Sequence, residues 1–256
     1  MRRVHLFELE DQTWFPKTIR DAGTDFLRFV AEVAKPYRAV FPRLRKALIA
    51  SGSQNILDLC SGGAGPIVAI QNDLAGSGCE ILVTMTDKFP NRTAFEHARR
   101  RSAGKVNFVD APVDAAAVPP DLSGFRTLFT SLHHFRPEEA KRILQDAVNR
   151  SRPIGVFEMT RRSFLPIMAI PVLPVALLAS TPFIRPFRWS RLLWTYLIPI
   201  VPLFITWDAF VSCLRTYSVK ELGEMVEGLN CEGYTWEIGV DAAWPSHVSY
   251  LIGYPS

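Results

Sequence analysis

The stretch Ile56-Leu57-Asp58-Leu59-Cys60-Ser61-Gly62-Gly63-Ala64-Gly65 decides the fold. A short apolar run carrying one acid passes into a turn of small residues, and helical spacing resumes from Ile67 to Leu74. Glycines in such a turn let backbone approach a ligand closely. Outward from it, Asn55 to Leu59, Ile81 to Thr86, Val106 to Val109, Thr127 to Thr130 and Ile154 to Phe157 are short apolar runs. Parallel strands covered on both faces have this signature. Between them, Ile67 to Leu74, Arg92 to Arg101 and Pro137 to Asn149 read as helices, the last with Pro137, Glu138 and Glu139 suiting its first turn. The alternation predicts a doubly wound, Rossmann-like α/β sheet.

Both ends depart from that alternation. From Pro16 to Ala34, Ile19, Ala22, Phe26, Phe29, Val30 and Val33 recur at three- and four-residue steps, which predicts an amphipathic helix. A second helix spans Tyr37 to Ala50 and stops at Ser51-Gly52-Ser53. Near the other end, Ser218-Val219-Lys220-Glu221 is a capping box that starts a helix. Tyr234 to Val240 and His247 to Ile252 then read as strands. Their connection, Asp241 to Ser246, is too short for a crossover helix, so an antiparallel hairpin is expected. The organisation is an N-terminal helical cap (1–53), a core (54–160 and 208–256) and an apolar helical insertion (161–207).

The chain has 256 residues, 29 Lys plus Arg against 25 Asp plus Glu, and 48% hydrophobic residues. That composition is too apolar for a disordered chain. The net charge of +4 leaves nucleic acid open, but no aromatic-interleaved basic stripe or nucleic-acid motif accompanies it, so no nucleic-acid partner is expected. Cys60, Cys79, Cys213 and Cys231 include no CxxC pair and no neighbouring histidine at ligand spacing, so neither a metal nor a disulfide framework is expected. Met1 to Glu10 carries Arg2, Arg3, Glu8 and Glu10 without a long apolar run, so no secretory signal is expected and the protein is placed in the cytoplasm.

Asp87 ends the second apolar run, about 20 residues beyond the glycine turn, where a carboxylate accepts hydrogen bonds from ribose hydroxyls. A nucleoside cofactor follows. With Asp58 ahead of the turn, the segment resembles the DxGxGxG-like pattern of class I S-adenosylmethionine-dependent methyltransferases. Cys60 replaces that family's first glycine, Gly62 holds the second, and Gly65 stands one place beyond the third, so the turn is remodelled. Val113-Asp114-Ala115-Ala116-Ala117-Val118-Pro119 resembles the family segment after the third strand, and Ser131-Leu132-His133-His134-Phe135 the one after the fourth. The terminal hairpin matches the family's antiparallel sixth and seventh strands. The resemblance implies S-adenosyl-L-methionine as cofactor, with Asp58, Cys60, Gly62, Gly63 and Gly65 around its methionine portion. It further implies Asp87 on the ribose, and Asp114, Ala115 and Ser131 around the base and the crevice.

Methyl transfer from a sulfonium asks mainly for alignment of the nucleophile with the methyl carbon. Where a proton must leave, His133 and His134 on the loop after the fourth strand are candidate bases, and Glu158 past the fifth strand is another. Pocket lining and structural hydrogen bonding remain the competing roles for these three. Trp14 and Phe15 read either as a substrate lid or as an anchor for the leading helix. Asp208, Arg215 and Tyr217 are substrate-side candidates, since family insertions at this place shape the acceptor pocket.

Ser163 to Ile184 and Leu192 to Trp207 carry no charge, and Arg185, Arg188 and Arg191 lie between them. Pro166, Pro171, Pro174 and Pro182 are expected to break the first run, and Pro199 and Pro202 the second. The expectation is a hairpin in the membrane interface, with the arginines at anionic head groups and Trp189, Trp194, Tyr196 and Trp207 in the interfacial layer. A pair of apolar helices closing over the chain's own cleft is the alternative. Both favour a hydrophobic small-molecule or lipid-like acceptor, methylated at the inner face of a membrane. A non-catalytic membrane module and a nicotinamide oxidoreductase are the rival readings, and the oligomeric state is not readable.

Overall fold

The computed structural model describes residues 1–243 and 246–255. Its centre is a seven-stranded sheet in the order β3-β2-β1-β4-β5-β7-β6. The strands are β1 (Asn55–Leu59), β2 (Leu82–Met85), β3 (Val106–Phe108), β4 (Phe125–Phe129), β5 (Ile154–Glu158), β6 (Tyr234–Ala243) and β7 (Ser246–Pro255). The first five pair in parallel, and β7 runs antiparallel to both β5 and β6. The hairpin thus forms as expected, with strands longer than the apolar pattern marked and a connection at residues 244–245 that lies outside the described residues. β4 starts at Phe125, two residues before its apolar run, because Arg126 takes a fully buried place and pairs with Asp146 at 2.8 Å.

The helices are α1 (Lys17–Ala34), α2 (Phe41–Ala50), α3 (Ile67–Gly76), α4 (Arg92–Arg101), α5 (Pro137–Asn149), α6 (Phe164–Ala169), α7 (Leu173–Ser180), α8 (Trp189–Leu192), α9 (Ile200–Arg215) and α10 (Val219–Glu227). Two apolar layers sandwich the sheet. One holds Val40, Leu44 and Leu48 with Ile67, Phe95 and Phe157. The other holds Leu57, Leu128, Ile143, Leu144, Leu222 and Leu251. The two N-terminal helices therefore part company: α2 covers the sheet, while α1 joins the insertion.

A third cluster packs Phe15, Ile19, Ala22 and Phe26 against Leu177, Ile184, Val201, Phe204 and Ile205. Gly23 permits it, since a Cβ there would stand 2.3 Å from the Phe204 ring. The prolines do not break the first apolar run as expected. Pro166, Pro171, Pro174 and Pro182 fall within short α and 3-10 turns that follow one another through Phe164–Phe183, and Pro171, Pro174 and Pro182 each take an N-terminal position that loses no internal hydrogen bond. This run is long and apolar enough to cross a membrane, with mean hydropathy 2.0 and 17% burial. The second run bends by 80° between Leu197 and Ile200, at Pro199. α9 continues through residue 207 without interruption, so insertion and core share a helix.

Two of the three inter-run arginines do not reach outward. Arg191 is 1% exposed and lies 2.7 Å from Asp25 on α1, and Arg188 lies 3.1 Å from Asp21 and donates to Asn91. Their acidic partners on α1 draw them inward and pin the insertion to that helix. Arg185 remains exposed.

Candidate active site

A cavity of about 640 Å³ lies at the C-terminal edge of the parallel strands, within the usual size of small-molecule sites. The turn after β1 forms one wall. Cys60, Gly62, Ala64 and Gly65 all have positive φ there (58°, 53°, 77° and 35°), so two side chains accept a conformation that favours glycine. Gly63 is required for packing: a Cβ would stand 2.3 Å from the Thr24 carbonyl oxygen on α1. Cys60, Ser61, Gly62, Gly63 and Gly65 line the cavity. Burial pushes the Cys60 thiol up, which keeps it protonated and unreactive.

Asp58 lies behind the turn and does not line the cavity. Its carboxylate accepts from Ser61 Oγ at 2.5 Å and Thr127 Oγ1 at 2.7 Å, so it shapes the turn from beneath, and burial pushes it up to about 7. Asp87 faces the cavity. Its two oxygens accept from the backbone N–H groups of Gly62 and Phe89, each at 2.7 Å. A carboxylate has about four lone-pair sites, so both oxygens retain one for a ligand hydroxyl. Burial raises its pKa, opposed by those two amides. Asp114 lines the far wall, accepting from Ala116 N at 2.9 Å with Lys88 3.5 Å away, while Ala115 is buried behind it. Ser131 lines the cavity with a hydroxyl that has no partner among the described residues.

The expected catalytic trio divides. His133 and Glu158 are both 1% exposed and absent from the cavity wall; they bond to each other, His133 Nδ1 to Glu158 Oε2 at 2.9 Å. Glu158 turns inward because the His133 backbone N–H and Thr160 hydroxyl also donate to it. His134 does line the cavity. Its Nδ1 lies 2.8 Å from Asp11 and 2.8 Å from Glu8, and although burial disfavours its charge, these acids raise its pKa well above the usual value. A histidine held as imidazolium is a donor and not a base.

Residues 1–15, which the sequence marked only at Trp14 and Phe15, form a strap across the crevice. Phe15 is an anchor, 4.9 Å from the Phe204 ring, and Trp14 is exposed, so neither lines the cavity. His5, Leu6, Phe7, Glu10, Asp11 and Gln12 do. The strap is tied to α9: Leu9 and Glu10 N–H groups donate to Asp208 at 2.8 and 3.0 Å, Trp207 donates to the Phe7 carbonyl, and Ser212 to Glu8. Asp208 therefore holds the strap and does not reach the cavity. Burial pushes its carboxyl up to about 7, with the Leu9 and Glu10 amides opposing. Arg215 lines the cavity, 2.7 Å from Asp11 and donating to the His133 and His134 carbonyls. Tyr217 is turned away, donating to the Phe135 carbonyl at 2.8 Å beneath the Arg3 guanidinium. Beyond the Trp14-Phe15 pair nothing local marked the strap, since its partners on α9 are about 200 residues away.

No family model and no curated protein matches the sequence. Among solved structures, human N-acetylserotonin methyltransferase in complex with S-adenosylmethionine is similar with TM-score 0.53 and 11% identity, over 94% of this chain and 57% of that one. An O-methyltransferase family 2 protein from Planctomyces limnophilus, in complex with apigenin, gives 0.52 and 13%, over 97% and 67%. A Rhodobacter sphaeroides structure described as a Zn-dependent alcohol dehydrogenase gives 0.55 and 15%, over 93% and 98%. The chain spans 54–59% of the length of the first four methyltransferase structures it matches. The fold is that of the class I S-adenosylmethionine-dependent methyltransferases. The antiparallel β7 between β5 and β6 separates this sheet from the 3-2-1-4-5-6 order of dinucleotide-binding folds.

Proposed function

We propose that the chain is an S-adenosylmethionine-dependent methyltransferase of hydrophobic small molecules or lipid-like acceptors, attached to the cytoplasmic face of a membrane through its insertion. The Asp87 carboxylate carries the cofactor reading: it faces the cavity with spare lone pairs beside the Gly62-Gly63 turn. The residues fit the cofactor. Asp87 would hold the ribose hydroxyls, Asp114 the adenine side, and Ser131, whose hydroxyl lacks a partner among the described residues, a polar atom between them. When bound, the sulfonium supplies an activated methyl group. The chain's part is to exclude water and to align the acceptor, and the strap closes that side through Leu6, Phe7, Glu10 and Asp11.

The apolar acceptor and the membrane share one support. Leu6 and Phe7 are exposed at the cavity mouth, and Phe7 packs on Trp207 of α9 at 5.5 Å. From there exposed apolar side chains continue along the insertion through Leu203, Leu197, Trp189, Phe183 and Phe164. Large apolar side chains exposed in this number mark an interaction surface. The inner face of the insertion is pinned to α1 by Arg191–Asp25 and Phe204, which favours lying in the interface over crossing the bilayer.

The test supplies S-adenosylmethionine labelled in the methyl group together with lipid extracts dispersed in vesicles or with water-soluble metabolites. Label in the organic-soluble products of the vesicle reactions is expected. Label only in water-soluble products would contradict the acceptor class, and transfer unaffected by vesicles would contradict the membrane attachment.

A further inference from the structure

Beside the cavity, the strap and the loop after β4 bring two imidazoles and a carboxylate together. The ligand atoms of Glu8, His133 and His134 lie within 4.8 Å of one another. Glu8 and His133 are 0% and 1% exposed, and His134 reaches the cavity wall. Their protons do not balance. His133 uses Nδ1 as donor to Glu158 at 2.9 Å, so in the neutral ring Nε2 is a bare lone pair. That nitrogen is buried without a hydrogen-bond partner. It faces Glu8 Oε1 at 3.8 Å, too far for a hydrogen bond, and the facing atom is also an acceptor.

The other ring is flanked by two acids. His134 Nδ1 stands 2.8 Å from Glu8 Oε2 and 2.8 Å from Asp11 Oδ1, but one nitrogen carries one proton. Asp11 takes the hydrogen bond, and Glu8 Oε2 is the second acid of that ion pair. Arg215 reaches Glu8 Oε1 at 3.3 Å, but the His133 Nε2 lone pair stays buried, unpaired and directed at the same carboxylate.

We propose that Glu8, His133 and His134 bind one divalent transition-metal ion of the zinc type, the ion displacing the proton that His134 carries in its absence. Two imidazoles and a carboxylate are a donor set of open zinc sites, where ligand atoms each lie about 2.0–2.2 Å from the ion, so a separation near the observed His133–Glu8 gap is expected. Glu158 on the far nitrogen of His133 is the partner that orients metal-bound histidines. The ion would fasten the strap to the loop after β4, so that the cavity wall is complete only with the strap down. The inference goes beyond methyl transfer and does not depend on it, since its readout needs no cofactor.

The test is calorimetric titration of the full chain, stripped with a chelator, with Zn²⁺. Variants His133→Gln and Glu8→Gln are compared with His97→Gln, a control on α4. Wild type and His97→Gln should bind roughly one ion per chain, and each ligand variant at least about tenfold more weakly. Because a buried substitution can unfold the chain, X-ray absorption at the zinc edge of the loaded wild type gives a second reading. Nitrogen and oxygen neighbours with imidazole scattering are expected. No saturable uptake by the wild type, uptake retained by folded His133→Gln, or a sulfur shell from a cysteine would each overturn the proposal.

Discussion

In the sheet, Val83, Met85, Leu128, Val156 and Phe157 are apolar side chains of at most 1% exposure, whereas in the insertion Phe164, Trp189 and Leu197 are as apolar and stand 74%, 79% and 76% exposed. The sheet residues are sealed by helices on both faces. The insertion is sealed on one face only, by α1, and its polar anchors point inward instead of outward. Apolar composition alone therefore does not mark a core. What separates the regions is the location of the charged groups: Arg191 and Arg188 are spent on holding the insertion to α1, leaving its outer face with little but hydrocarbon and indole.

The largest expected effect strikes the inner face. Desolvation lowers the Arg191 pKa and raises that of Asp25, so the pair is costly to bury, yet removing Arg191 leaves the buried Asp25 only the longer Arg188 contact at 3.5 Å and the Asn91 amide at 3.2 Å. Arg191→Met should destabilise the fold by about 3–5 kcal/mol, measured by denaturant unfolding, and adding Asp25→Leu should restore part of that loss. A double variant no more stable than the single one would mean the pair is not what pins the insertion.

The outer face should respond without loss of fold. Phe164→Ser with Trp189→Ser should weaken co-sedimentation with anionic vesicles by about 2–4 kcal/mol, since each large side chain contributes about 1.5–3 kcal/mol when fully buried. Unchanged sedimentation at unchanged melting temperature would move the membrane contact elsewhere. Deleting the whole insertion is the poorer experiment, because Leu177, Ile184, Val201 and Phe204 pack on α1.

Within the crevice the effects are smaller. Asp87→Asn should weaken S-adenosylmethionine binding roughly 10- to 100-fold through loss of hydrogen bonds to a charged acceptor, and equal affinity would remove Asp87 from the site. Asp58 offers a pH signature. Burial holds its carboxyl at about 7 in the fold, whereas the unfolded chain releases the proton near 4. Between those values the native state binds more protons, so stability is highest at the acid end and falls as pH rises through that window. Asp58→Asn should remove that slope and gain about 1 kcal/mol relative to wild type near pH 8; an unchanged slope would show that Asp58 is ionised throughout.

The sheet was legible because strands buried on both faces announce themselves locally, as Asn55–Leu59 does, and because helices such as Arg92–Arg101 and Pro137–Asn149 keep their own period and caps. The cavity-lining turn and Asp87 were legible for the same reason: they lie at the strand ends that the pattern marks. The roles of Glu158, His133, Asp208 and Tyr217 were not, since each turns on a partner far away in sequence. Asp208 finds Leu9 and Glu10, and Tyr217 finds Phe135. The strap carries no apolar period at all. Its place is fixed by charges and backbone amides that meet only after the sheet and α9 have formed. The proline positions misled for a local reason: Pro171, Pro174 and Pro182 each begin a new turn instead of interrupting one.

Calorimetric titration of the purified chain with S-adenosylmethionine, its demethylated product and NAD tests the central claim most directly. Saturable micromolar binding of the first two and none of NAD is expected. Binding of NAD alone, or of none of the three, would contradict it.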